Sequence, residues 1–160
     1  MSIARTDLTL GAMAVAALAA VGAALVSQHV FDMQPCPWCV LQRLVFVAIA
    51  LAAVLALVWR SRLGVAVGAL LALALSGTGI AAALWQHFVA ASSASCKLTL
   101  AEKVIAATGL DGLLPDIFQA RATCADAAID LLGVPYEFWS LAAFALLGLG
   151  ALRVFIASRR

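Results

Sequence analysis

Charge is what this chain has least of. Asp, Glu, Lys and Arg together number 18 in 160 residues, ten basic and eight acidic, for a net charge of +2. Hydrophobic residues make up 66%. A soluble domain is about a quarter charged and about half apolar, so a soluble globular enzyme is excluded. The cations form no dense basic patch, which argues against nucleic acid as a partner. No stretch is polar enough to stay disordered. The apolar runs are continuous rather than alternating, which argues against a membrane barrel. The length suits one small domain. What remains is a small integral membrane protein carrying four cysteines.

A spanning helix needs about 20 mostly apolar residues, and the charge-free stretches supply them. Charge is absent between Asp7 and Asp32, between Arg43 and Arg60, and from Leu63 to Cys96. A fourth stretch runs from Phe138 to Leu152 and continues past Arg153 to Ile156. These predict an all-α fold: a four-helix transmembrane bundle forming one integral membrane domain over residues 1–160. The helices are expected at about Leu8–Gln28, Leu41–Trp59, Leu63–Trp85 and Tyr136–Ile156. The loops of about 29–40 and 86–135 then share one side. Trp38, Trp59, Trp85 and Trp139 all fall near a predicted helix end, where an amphipathic ring suits the membrane–water interface. Alanine-rich tracts in the first and third helices let neighbouring helices approach closely.

Basic residues orient such a bundle, cytoplasmic segments being the richer in them. Arg5, Arg60, Arg62, Arg153, Arg159 and Arg160 against Asp7 give one side a net +5. Arg43, Lys97, Lys103 and Arg121 against seven acids give the other side −3. Both termini and the turn between helices 2 and 3 are therefore expected in the cytoplasm. The first helix is expected to be retained rather than cleaved, because its apolar run exceeds the roughly 7–15 residues of a signal h-region and no A-x-A site follows. In the long loop, Thr99–Thr108 reads as a short interfacial helix. Thr99 and Glu102 have capping-box spacing, Gly109 suits its end, and Leu100, Val104 and Ile105 offer apolar side chains to the membrane surface. Pro115 and Pro135 divide the remainder into short pieces.

All four cysteines fall on the non-cytoplasmic side, Cys36 and Cys39 in the first loop and Cys96 and Cys124 in the second. In bacteria that side is oxidising. Two pairs in two loops suggest two disulfides, although four cysteines allow three connectivities. Cys36-Pro37-Trp38-Cys39 stands at the entrance of the second helix, where partial positive charge lowers thiol pKa. Pro35 and Pro37 suit positions just before or within a first helical turn. Arg43 lies one turn after Cys39 on the same face, so it is expected to place a cation beside a Cys39 thiolate. A thiolate is the species that attacks a disulfide or an electrophilic ring. By itself the C-x-x-C favours a redox pair, with half of a zinc site and a passive disulfide as alternatives. A Cys96–Cys124 bridge reads by itself as a stabilising staple. Beside a reactive C-x-x-C it reads as a labile disulfide offered to a soluble partner, the two pairs relaying electrons by exchange.

Over essentially its whole length the chain resembles the DsbB family of bacterial inner-membrane disulfide-forming proteins. The resemblance rests on the four helices, Gln28-His29-Val30, Pro35-Cys36-Pro37-Trp38-Cys39 followed by Gln42-Arg43, and Cys96, Leu100-Ala101-Glu102 and Cys124-Ala125 in the long loop. It implies a thiol:quinone oxidoreductase that reoxidises a periplasmic DsbA-type thiol oxidase and reduces a membrane quinone, ubiquinone or menaquinone. It further implies that the catalytic residues are Cys36, Cys39, Cys96 and Cys124, with no metal. Cys96 would be attacked by the partner, Cys124 would then attack Cys36, and Cys39 would be released facing the quinone. Arg43 matches the family's arginine beside the quinone, and His87 sits where the family often has a histidine near the ring. His29, Gln42, Asp126 and Asp130 read as interfacial, packing or solvated residues.

Three rival readings fit parts of the same pattern. A vitamin K epoxide reductase-like protein shares the four-helix, quinone-linked design, but its C-x-x-C lies near the last helix rather than before the second. A heavy-metal-binding membrane protein would use thiolates as soft ligands, yet the predicted helices carry no cysteine along a transport path. A structural protein with two inert disulfides gives no account of Arg43 beside Cys39.

Overall fold

The computed structural model describes residues 3–91 and 100–159. In chain order its elements are α1 (Ile3–Val30), α2 (Pro37–Trp59), α3 (Arg62–Trp85) continued by a π-helical segment (Gln86–Ala90), α4 (Leu100–Thr108), α5 (Leu110–Leu113), α6 (Pro115–Phe118), β1 (Asp130–Leu131), β2 (Val134–Pro135) and α7 (Tyr136–Ser158). Among the described residues, α1, α2, α3 with its extension, and α7 are long and apolar enough to cross a membrane. The fold is an all-α four-helix membrane bundle, with one two-stranded ribbon in the long loop.

The second helix begins at Pro37, four residues before the start expected from its apolar run. Proline suits the first helical position because its missing N–H would have no intrahelical partner there. Cys36 is the N-cap, extended at φ −82° and ψ 167°, and its sulfur accepts the Cys39 N–H at 3.3 Å. The C-x-x-C pair thus forms the cap and first turn of α2. At the other end Arg60 turns the chain in a left-handed conformation, and Ser61 caps α3 by accepting the Gly64 N–H at 2.9 Å.

The helices close a ring in which α1 and α3 each lie between α2 and α7. Small residues set its tightness. Ala52, Ala53 and Ala56 of α2 and Ala69 and Ala72 of α3 are all buried, and lipid-embedded helices associate best where small side chains let backbones approach. Phe46 and Phe144 stack at the centre, with ring centroids 4.0 Å apart and planes 6° apart. Gly79 makes room for them, because a Cβ there would run into the Phe144 ring. Leu51, Leu55, Leu70, Leu71, Leu146 and Leu149 face outward, as suits lipid.

Three of the tryptophans, Trp59, Trp85 and Trp139, are exposed at helix ends. Trp38 departs from the expectation. It is buried, and its ring lies 6.2 Å from that of Trp85. Because α2 starts early, Trp38 falls in a helical turn that is roofed over by the long loop.

That roof begins with α4. It buries Ala101 and Ile105 against the bundle and turns Leu100 and Val104 outward, so the apolar residues divide between protein and surroundings. Gly109 follows it in the left-handed region at φ 67°. Thr99, half of the expected capping box, lies outside the described residues. The loop closes with a hairpin in which Leu131 pairs with Val134. Its turn residues, Leu132 and Gly133, both have positive φ, as a two-residue type I′ turn requires.

Candidate active site

Backbone pairing across the loops brings three cysteines together. The N–H groups of Arg121 and Ala122 donate to the Pro35 carbonyl at 2.9 and 3.2 Å. This staples the segment before Cys124 to the residue before Cys36. Cys36 is fully buried, and its sulfur lies 2.9 Å from that of Cys39. Cys124 is buried in the same cluster as Cys36 and Trp38, close enough for its thiol to act on that of Cys36. The sulfurs therefore run in the order Cys124, Cys36, Cys39. Cys96 lies outside the described residues.

The two outer-loop thiols differ in acidity. Hydrogen bonding to Cys124 and to Cys39, with burial added, pushes the Cys36 thiol up. The hydrogen bond from Cys36, aided by the Trp38 N–H, holds Cys124 below the usual thiol range against the opposing effect of burial. Cys36 keeps its proton and Cys124 is the readier thiolate. Only the thiolate attacks in disulfide exchange, so the natural direction of attack in this pair is from Cys124 toward Cys36.

On the other flank of Cys39, two buried glutamines form a chain. The Gln42 side-chain amide donates to Gln86 Oε1 at 2.7 Å, and Gln86 Nε2 donates to Cys39 Sγ at 3.3 Å. The π-helical turn begins at Gln86, where the Ala91 N–H reaches back to the Gln86 carbonyl. Such wide turns are rare and recur at functional sites. Here the turn leaves Gln86 buried beside Cys39.

Arg43 is buried on the same face of α2. Its Nη1 donates to Gln28 Oε1 at 2.7 Å and to the Ile117 carbonyl at 3.0 Å, and its Nη2 donates to the Ala24 carbonyl at 3.3 Å. Gln28 in turn donates to the Asp116 carbonyl at 3.2 Å. Arg43 thus ties α1 and α6 to α2. Among the described residues its recorded partners are all neutral oxygens. The group that hydrogen-bonds Cys39 is Gln86, while Arg43 supplies a buried positive charge nearby. A buried cation without an anion is costly, so this one favours negative charge in its surroundings.

Cys39, Gln42, Arg43 and Gln86 line one side of a cavity of about 300 Å³. Alanines of α1, Phe46 and Ala143 give it apolar walls, and Tyr136, Glu137 and Trp139 are also in its lining. The Tyr136 hydroxyl donates to Ser27 at 3.3 Å, bridging α7 and α1. His87 is not among the lining residues. Its Nδ1 lies 2.6 Å from Glu137 Oε1, and Glu137 does line the cavity. Glu137 and Gln34, another lining residue, each carry a buried oxygen with no hydrogen-bond partner among the described residues. His29, Asp126 and Asp130 are exposed.

Gln86 and Glu137 do not stand out in the sequence. The signal for them is physical: each is a polar side chain at the margin of an apolar run, where an unneeded one would be expensive to bury. Gln42, which reads as a capping or packing residue, carries the same signal one position before Arg43.

The family model described as Disulfide bond formation protein DsbB matches residues 6–154. Disulfide bond formation protein B of Aromatoleum aromaticum is 36% identical over 157 residues, covering 96% of this chain and 93% of its own length. The protein of the same name from Herminiimonas arsenicoxydans is 34% identical over 139 residues, covering 86% and 87%. That of Polaromonas naphthalenivorans is 34% identical over 151 residues, covering 92% and 89%.

Proposed function

The chain belongs to the DsbB family of membrane disulfide bond formation proteins, and on that footing we propose that it is a thiol:quinone oxidoreductase of the bacterial inner membrane. It reoxidises a periplasmic DsbA-type thiol oxidase and passes the electrons to a membrane quinone. The family match does not favour the epoxide reductase-like or metal-binding rivals. The observation that carries the reading is the line of sulfurs from Cys124 through Cys36 to Cys39, which ends on an apolar cavity beside a buried arginine.

In this reading the partner's thiolate attacks Cys96 of a Cys96–Cys124 disulfide. Cys124, released, attacks Cys36 of the Cys36–Cys39 disulfide and frees Cys39 as a thiolate. The partner's second thiolate then displaces Cys96 and leaves oxidised, and Cys96 attacks Cys124 to restore the Cys96–Cys124 disulfide and release Cys36 as a thiol. The amide of Gln86 donates to that sulfur, and the charge of Arg43 stabilises it. The Cys36 proton and the burial of its sulfur keep the inner cysteine from acting as a stray nucleophile. A quinone bound in the cavity supplies a two-electron, two-proton acceptor. The cavity suits it: the walls are apolar, Arg43 favours the reduced oxygens, and the unpartnered oxygens of Glu137 and Gln34 are acceptors for quinol hydroxyls.

The decisive experiment is reduction of ubiquinone or menaquinone by the purified protein supplied with a reduced DsbA-type partner. Turnover dependent on both supports the reading, and its absence with either quinone overturns it. Topology is tested separately. Both termini are cytoplasmic in this reading, so a membrane-impermeant thiol reagent labels the cysteines of reduced, intact inner-membrane spheroplasts. Labelling only after permeabilisation would place the loops on the wrong side.

A further inference from the structure

The cavity contains a buried carboxyl group that the sulfur relay does not use. Glu137, in the first turn of α7, has a side chain only 4% exposed. Its Oε1 meets His87 Nδ1 at 2.6 Å, and its Oε2 is buried without a partner among the described residues. Burying a carboxyl with one oxygen unsatisfied is costly. Packing alone would have been served by an apolar residue at this position. The His87 side chain is 32% exposed, so the pair runs from a surface-accessible imidazole to a cavity-lining carboxyl. The rings of Phe88 and Phe138 flank the imidazole, at 4.8 and 4.7 Å, and hold it toward Glu137.

We propose that Glu137 is the proton donor for quinone reduction in this cavity and that His87 reloads it from the aqueous side. The proposal rests on the thiol:quinone reading above. Proton balance creates the need. Forming the Cys36–Cys39 disulfide from a Cys36 thiol and a Cys39 thiolate releases two electrons and one proton. Converting a quinone to a quinol consumes two electrons and two protons. One proton must therefore enter from outside the cysteine pair.

The other groups facing Glu137 across the cavity are poor sources. From α2, Cys39 is the electron donor in its thiolate form and Arg43 does not release a proton. The amides of Gln42 and Gln86 do not titrate. From α1, Ser27 accepts the hydroxyl of Tyr136, whose proton is thereby engaged in the bridge between α7 and α1. The long loop contributes Ala127, Ile129 and Leu131 and the first loop Met33, Gln34 and Pro35, none of which titrates. The arrangement also divides the work between the two candidate quinone-site residues. Arg43 supplies charge, and His87 acts one step back, through Glu137, as a positioning and proton-supplying residue.

The test is Glu137→Gln in the full-length, quinone-loaded protein. Glutamine keeps the Oε1 acceptor for His87, so a purely structural tie between the π-helical segment and α7 survives the change. Three measurements are made with short-chain ubiquinone and menaquinone as probes: binding by quenching of tryptophan fluorescence, the reduced-minus-oxidised infrared difference spectrum, and single-turnover quinol formation against pH. In Glu137→Gln, binding is expected to be retained and quinol formation to slow by about 10²-fold, the lower end for loss of a general acid. A carboxyl band present in the wild-type difference spectrum should vanish. The pH profile of the wild-type rate should differ from that of the variant, which has no carboxyl at this position.

An unchanged rate and pH profile would overturn the proposal, as would loss of quinone binding or of thermal stability as the main effect. If the wild-type protein leaves both quinones oxidised, the thiol:quinone reading itself has failed. If it reduces them and Glu137→Gln matches it, only the role of Glu137 has failed.

Discussion

The bundle is built from different materials at its middle and at its loop end. Around Phe46, Gly79 and Phe144 it is held by alanine, glycine and stacked rings. At the loop end it is held by glutamine, arginine and glutamate. Six polar or charged side chains are buried among the described residues, and five of them, Gln28, Gln42, Arg43, Gln86 and Glu137, belong to the loop end. The sixth, Ser76, satisfies itself within α3 by donating to the Ala72 carbonyl at 2.8 Å. Apolar packing already suffices to join helices in lipid, and intramembrane polar groups are expensive unless they are used. They cluster where the proposed chemistry is placed, and the middle of the bundle is held together without them.

Four experiments press on that contrast, beginning with the largest effect. Cys124→Ala should abolish steady-state turnover and leave the bundle intact. Cys96, left without its disulfide partner, should attack the disulfide of an oxidised partner molecule and form a mixed disulfide that no Cys124 thiolate can resolve, and mass spectrometry of the trapped species should identify Cys96. A crosslink through Cys36 would reverse the proposed order of electron flow.

Arg43→Ala should cost about 2–4 kcal/mol in quinone reduction, the scale seen when one electrostatic donor is removed from an active site. Arg43→Lys should fall between, because it keeps the charge and loses the planar fork. Partner and quinone concentrations are varied independently. If only the apparent KM for the partner rises, Arg43 serves docking rather than the cavity. The alanine variant also strands Gln28 Oε1 and the Ile117 carbonyl, so some loosening of α6 should accompany it in hydrogen exchange.

Phe144→Leu tests the other half. It removes the stacked pair with Phe46, worth roughly 0.5–1.5 kcal/mol beyond area burial. Thermal unfolding in detergent should come earlier, while the turnover rate at a permissive temperature stays near wild type. A large loss of turnover with stability unchanged would mean that the packed middle takes part in catalysis and would dissolve the contrast.

The smallest effect concerns the acidity of Cys124. Its depressed pKa means that the thiolate is present at lower pH than for a free thiol and is lost as pH falls through the depressed value. Attack of Cys124 on the Cys36–Cys39 disulfide should therefore persist below the pH at which an ordinary thiol stops reacting. Because the hydrogen bond from Cys36 is the largest cause of the shift, Cys36→Ala should move the alkylation profile of Cys124 upward in pH. A profile unmoved by that substitution would separate the two sulfurs in solution.

The sequence by itself determined the membrane bundle, because the number of consecutive uncharged residues is set directly by the thickness that a helix must cross. It also determined the local group of Cys36, Cys39 and Arg43, since helix periodicity alone puts residues four apart on one face. The early start of α2 was half legible in Pro37. Only the tertiary structure decided which sulfur meets which. Cys124 reaches Cys36 because two N–H groups from the long loop converge on the Pro35 carbonyl, and a backbone bond between remote segments leaves no periodic trace. The same holds for the donor to Cys39, which is Gln86 from a π-helical turn of α3, and for the partner of His87, which is Glu137 from α7. Spacing reveals neighbours along one helix, whereas the cavity is made by four helices and a loop whose meeting is settled by packing.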